Sequence, residues 1–127
     1  MVDDKKVRGP STHNKSKGDL AKTVSNVLIE EIFEYWKVAM GKTKRRAALD
    51  VNRHRDIGWA IAVYGVEACR EAIDGCANDP WWMGQNNRGQ AYNDVSVIFR
   101  NAGNVEKFLE LHDKQSETSA KDEWINE

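Results

Sequence analysis

An all-α domain is expected here on three observations. Apolar residues recur at spacings of three and four along most of the middle of the chain, the pattern of one buried helix face. No run of five or more residues alternates apolar with polar as a half-buried strand would; Val95–Phe99 (VSVIF) is the one ambiguous piece. Capping and helix-ending residues fall between the periodic stretches: Gly41, Asp50, Gly65, Gly103 and Asn104. The expected architecture is a compact bundle of about five helices with a long Trp/Asn/Gly-rich loop and disordered termini.

The first helix is expected over about Leu20–Met40. Leu20, Val24, Val27, Leu28, Ile32 or Phe33, Tyr35, Trp36 and Ala39 make one broad apolar face, with Glu30, Glu31, Glu34 and Lys37 largely opposite. Gly41 is placed to close it in a left-handed cap. A second helix, about Val51–Tyr64, has Asp50 as N-cap. It buries Ile57, Ala60, Ile61 and Tyr64 and ends at Gly65. A third, about Val66–Ala77, buries Ala68 or Cys69, then Ala72, Ile73 and Cys76. The loop Asn78–Asn93 is dense in turn chemistry: Asn78-Asp79-Pro80, Gly84, Asn86-Asn87 and Arg88-Gly89. A short fourth helix, about Asp94–Asn101, presents Val95, Ile98 and Phe99. A fifth, about Val105–His112, presents Val105, Phe108 and Leu109, with Asn104 as its cap. Trp36, Ile57, Ile61, Ile73, Ile98 and Phe108 head these apolar stripes and are expected inside.

The 127 residues make a single domain with polar ends. Residues 1–18 read as a disordered basic tail, because Gly, Pro, Ser, Thr, Asn and Lys leave almost nothing to bury. Residues 19–112 are the helical domain, and 113–127 an acidic, flexible tail. The net charge of −1 gives no bulk attraction to nucleic acid or membrane, but its distribution is uneven. Lys42–Asp56 holds six Lys/Arg against two Asp, and Asp113–Glu127 holds five acids against two Lys.

No signal peptide and no membrane-length apolar stretch is evident, which points to the cytoplasm. The two cysteines, Cys69 and Cys76, lie seven apart in one helix. That is about 10 Å by helix rise, too far for a disulfide, so they read as packed free thiols.

The usual catalytic and metal constellations are missing. His13, His54 and His112 show neither HxxxH nor HExxH spacing, and there is no Walker loop, nucleophile elbow or GxGxxG. Accordingly no enzyme activity, metal or cofactor is expected. Two groups remain. Lys42, Lys44, Arg45, Arg46, Arg53 and Arg55 either form a solvated surface that pairs with Glu30, Glu31 and Glu34, or contact phosphates, which guanidinium groups fork onto well. Trp81 and Trp82 either plug a gap between helices, or remain available for base stacking or as a partner anchor. Asn86, Asn87 and Arg88 supply polar groups beside them under either reading.

One resemblance adds to this. EIFEYWKVAMGK, a basic stretch, and then RHRDIGWAIAVYGVEACREAIDGCANDPWWMGQNNRGQAYNDVSVIFRNAGNVEKFLEL resembles the conserved C-terminal domain of bacteriophage replication proteins, of the initiator or replisome-organiser type. The residues that carry it are Tyr35-Trp36, Lys44–Arg46, Arg55 and Ile57, Ala72–Gly75, Pro80-Trp81, Met83-Gly84, Asn86, Arg88-Gly89, Tyr92, Ile98–Arg100 and Val105–Leu109. They lie within about Ile29–Leu111, with the loop more distinctive than the helices. The resemblance implies association with DNA or with helicase-loading partners, and a place behind a winged-helix DNA-binding module. Here a short basic tail stands where that module is expected, which points to a stand-alone accessory or a free-standing interaction domain.

The expected function is therefore a small phage-type replication accessory protein in the host bacterial cytoplasm. It would bind DNA weakly through Lys42, Lys44, Arg45, Arg46, Arg53, Arg55 and Arg88, with Trp81 and Trp82 for stacking, or dock on a replication protein. The alternative is a protein-only adaptor or inhibitor that blocks a host factor. If Arg45, Arg46, Arg53 and Arg55 all pair with acids, the second reading gains.

Overall fold

The computed structural model describes residues 16–42 and 47–125, with side chains described up to residue 116. The expected tail over 1–15 and the basic residues Lys44, Arg45 and Arg46 lie outside the described residues. The described residues form six helices and no strand: α1 (Lys17–Ala21), α2 (Asn26–Ala39), α3 (Val51–Tyr64), α4 (Val66–Ala77), α5 (Val95–Ile98) and α6 (Ala102–Ile125). None of them is long and apolar enough to cross a membrane.

Where local chemistry marks the ends of a helix, sequence and structure coincide. Asp50 accepts the Arg53 N–H at 2.8 Å and opens α3. Gly65, at φ 94°, ends α3 and lets α4 leave in a new direction, a backbone shape that residues with a Cβ rarely adopt. Gly41, at φ 68°, follows the end of α2.

Several boundaries differ from the expected ones, and α5 ends at Ile98 rather than at Asn101. The single helix over Leu20–Met40 is two helices, parted at Lys22–Ser25. Ser25 accepts the Val27 N–H at 3.1 Å and restarts the helix with a new phase. The reset turns Ile29, Ile32, Phe33 and Trp36 inward, while Val27, expected on the apolar face, is left 61% exposed. Lys17 and Gly18, expected in the tail, belong to α1. At the other end, Asn101 accepts the Asn104 N–H at 2.8 Å, so α6 starts one turn before the expected cap at Asn104. Its backbone then continues beyond His112 to Ile125.

The core is one cluster. Trp36, Ile57, Ile61, Ile73, Ile98 and Phe108 are buried, joined by Val95, Phe99 and Val105. Burying side chains of this size supplies roughly 1.5–3 kcal/mol each before chain entropy is counted. Cys69 and Cys76 are both free and fully buried, and burial pushes each thiol up to about 12.

Helices α4 and α6 make the most extensive pairing, followed by α1 with α3 and α2 with α4. Two glycines permit the tightest approaches. A Cβ at Gly58 of α3 would lie 2.7 Å from the Ala21 Cβ of α1, and one at Gly75 of α4 would overlap the Phe108 carbonyl of α6. Polar ties fix the same pairs. The Tyr35 hydroxyl donates to Asp74 at 2.7 Å, between α2 and α4. The Lys17 ammonium reaches the buried Asp56 at 2.7 Å and the carbonyls of Phe99 and Arg100 at 3.0 and 2.8 Å, binding α1 to α3 and to the end of α5.

Candidate nucleic-acid interface

The loop between α4 and α5 is built by its own side chains. The Asp79 carboxylate accepts the N–H groups of Trp81 and Trp82 at 2.9 and 3.2 Å, which turns the chain immediately after the α4 C-terminus. Gly84 and Gly89 both take positive φ, at 115° and 59°. Asn86 staples the turn. Its amide nitrogen donates to the carbonyls of Trp81 and Gln90, both at 2.8 Å, and its amide oxygen accepts from the N–H groups of Arg88 and Gln90. The returning strand of the loop is held when the Tyr92 N–H donates to the Trp82 carbonyl at 2.8 Å.

The exit of the loop is anchored in the core. The Trp36 indole N–H donates to the Asn93 carbonyl at 2.8 Å. The buried Asn93 amide lies between the sulfurs of Met40 and Met83. Next along the chain, Asp94 caps α5 through the Ser96 N–H and pairs with Arg53 of α3. Burial works against the charge on Asp94, but the bonds from Arg53 and Ser96, with the charges of Arg53 and Lys42, outweigh it and hold the carboxyl below its usual range.

This construction sets three aromatic rings side by side. Trp81 and Tyr92 stack at 5.7 Å between centroids and 24° between planes. Trp82 stands edge-on to Trp81, to Tyr92 and to the core residue Phe108. Trp82 is thus half-buried and braces the loop on α6, with the Lys107 ammonium 5.1 Å above its ring. Trp81 is 49% exposed. Trp82 thus packs on the core, while Trp81 lies at the surface.

In front of the rings lies a cleft of about 570 Å³, lined by Trp81, Trp82 and Tyr92, by Asn86, Asn87 and Asn104, by Arg88, Arg100 and Lys107, and by Val97. No lining residue is acidic. Among the described residues, none of the three cations has a carboxylate within ion-pair distance. The volume is within the roughly 300–1,000 Å³ range of small-ligand pockets. Exposed aromatic area and unneutralised cations together suit a planar, anionic ligand.

The other nominated basic residues lie elsewhere. Arg53 is occupied inside the fold: it donates to the Ala48 carbonyl at 2.7 Å, pairs with Asp94, and lies over the Trp36 ring at 5.3 Å. Lys42 sits 5.6 Å from the centre of the same ring. Arg55 leans on Asp56 at 3.2 Å and stays partly exposed. The partners of Arg53 and Arg55 are thus Asp94 and Asp56, not the Glu30, Glu31 and Glu34 of α2 considered from sequence.

Arg100, Lys107 and Tyr92 complete the cleft without having been nominated as site residues. Their signal was present in the IFR and VEKFL segments and at Tyr92 of the resembling block, but spacing along the chain gives no hint that they converge. Among the described residues no group of three or more His, Cys, Asp or Glu is placed to hold a metal ion. No family model, curated protein or solved structure matches this chain.

Proposed function

We propose that this chain is a small accessory protein of the phage replication type, without enzyme activity, that binds DNA weakly in the bacterial cytoplasm. One observation carries the reading: the cleft unites the stacked Trp81 and Tyr92 rings with Arg88, Arg100 and Lys107, and no acid lines it. Phosphate contacts by such cations supply affinity without sequence information. Within the basic segment Lys42–Arg55, Arg53 and Arg55 contribute less than composition suggests, since Arg53 is tied to Asp94 and Arg55 to Asp56.

Fluorescence anisotropy with labelled oligonucleotides at low salt tests this. Binding should fall steeply as salt rises, because each phosphate contact releases condensed counterions. Replacing Arg88, Arg100 and Lys107 by Ala should flatten the salt slope by roughly one unit per lost contact. Absence of binding to any oligonucleotide at low salt rules the reading out.

A second reading, a protein-only adaptor, draws on the outer face of α2. Val27 and Val38 are 61% and 66% exposed there, beside Glu30, Glu31, Glu34 and Tyr35. An apolar strip with acidic borders suits a basic amphipathic partner. A pull-down from bacterial lysate that survives nuclease, and is lost in a Val27→Asp, Val38→Asp variant, would favour it.

A further inference from the structure

We infer that the cleft selects single-stranded nucleic acid, with one unstacked base laid on the outward face of Trp81 and the adjoining phosphates held by Arg88, Arg100 and Lys107, and that it does so with little regard to base identity. This rests on the nucleic-acid reading above and specifies the form of the ligand.

Strand selectivity follows from which surface of Trp81 is open. Tyr92 covers one side of the indole by stacking, and Trp82 abuts it edge-on, yet the residue remains 49% exposed. An aromatic platform of this kind is matched by the face of a base. In a duplex those faces are covered by neighbouring base pairs, so a duplex offers the cleft only its phosphates; a single strand offers both. Trp82 cannot serve as a second platform, because Phe108 and Tyr92 hold it edge-on and Lys107 lies over its ring.

Tolerance of base identity follows from the polar groups that remain. Reading a base edge needs donors and acceptors that are not already spent, and Arg88, Arg100 and Lys107 are assigned here to the phosphates, which leaves the lining amides. Asn86 uses both ends of its amide within the loop. Asn104 commits its amide nitrogen to the Val97 carbonyl at 2.8 Å. That leaves Asn87 as the one lining amide with no bond of its own among the described residues. Stacking itself is open to every base, since each has a π-face.

The test uses the full chain, short labelled oligothymidylate, oligoadenylate and oligocytidylate strands, oligouridylate, and a hairpin duplex of matched charge, all at low salt. The single strands should bind more tightly than the duplex. Trp81→Ala should weaken single-strand binding by roughly 5- to 150-fold, the equivalent of about 1–3 kcal/mol for one stacked base. It should leave duplex binding unchanged and lower the thermal midpoint only modestly, through the lost stack on Tyr92, while Trp81→Phe retains most of the affinity. Thymidylate, adenylate and cytidylate strands should bind within a few-fold of one another, and the deoxy and ribo arms decide which backbone is preferred. Equal binding of duplex and single strand, unaffected by Trp81→Ala but lost on removing the three cations, overturns this inference and leaves the nucleic-acid reading intact. A strong preference for one base overturns the tolerance. No binding to any strand removes both the inference and the reading beneath it.

Discussion

Gly75 of α4 rests directly against the backbone carbonyl of Phe108 in α6, with the His112 N–H close beside it. Backbone meets backbone at this point, so a side chain on residue 75 has no flexible neighbour to displace. The contact lies within the most extensive helix pair, and the buried Phe108 is also the ring on which Trp82 braces the loop. The glycine of the AIDG segment therefore bears on both the core and the cleft.

Gly75→Ala should accordingly destabilise the protein by at least roughly 1–3 kcal/mol, the cost of an overpacked core. Gly103→Ala, at an exposed position near the start of α6 with only the Asn101 side chain nearby at 3.4 Å, should not destabilise. Urea unfolding of the two variants, followed by circular dichroism, checks the contrast.

Lys17 gives a sharp boundary at the N-terminal end. Deleting residues 1–15 should shift the thermal midpoint little, since composition leaves that segment almost nothing to bury. Lys17→Ala should cost about 2 kcal/mol, because it strips the buried Asp56 of its closest cation; Arg55 remains nearby, which keeps the loss below the 3–5 kcal/mol of a fully broken buried pair. Truncation through Gly18, harmless if the tail ended there, should cost at least as much as Lys17→Ala, since it also removes the Ser16 cap of α1. Thermal melts of the three variants separate these outcomes.

Asp94 makes stability depend on acid. Its folded-state carboxyl titrates below its unfolded value, so its contribution is complete above the unfolded value of about 4 and is lost as pH falls through the folded one. Asp94→Asn keeps a good N-cap for α5 but loses the charge opposite Arg53. Its stability deficit should be clear at neutral pH and should shrink toward zero in acid, read from urea midpoints across that range.

Tyr35 works in the opposite direction. Burial, with the hydrogen bond to Asp74 and the charge of that carboxylate, raises its hydroxyl to about 12. A tyrosine whose folded value exceeds its unfolded value of about 10 stabilises fully below the unfolded value and loses that contribution as pH rises through the folded one. An alkaline titration followed by tyrosinate absorbance should show a late step near 12, absent in Tyr35→Phe.

The loop variants should divide by role. Trp82→Ala should lower stability by about 3 kcal/mol, the low end for a large aromatic since Trp82 is only half-buried. Asn86→Ala should leave global stability nearly intact but speed hydrogen exchange at the Arg88 and Gln90 amides, which it holds through its side-chain oxygen. Exchange at those amides matching the parent protein would show that Asn86 is not the staple.

The helix type, the bounds of α3 and α4, and the six nominated core residues could be read from the chain alone. Caps such as Asp50 and stops such as Gly65 act within a few residues of themselves, and the apolar period reports the buried face directly. The break between α1 and α2 is masked in the sequence because Val24 keeps the apolar period running across Lys22–Ser25; Ser25 caps the restart locally, but the docking of α1 on α3, where Ala21 meets Gly58 and Lys17 reaches Asp56, is visible only in the fold. The same limit governs the cleft. Sequence marks Trp81, Trp82 and Arg88 as notable, but it cannot say that Trp82 turns to Phe108 while Trp81 stays out, that Arg53 is taken up by Asp94, or that Arg100 and Lys107 arrive beside Arg88. Caps and periodicity are local physics, fixed by neighbours in the chain. Exposure, ion pairing and the convergence of charges depend on contacts between residues far apart in sequence, and these exist only once the helices have packed.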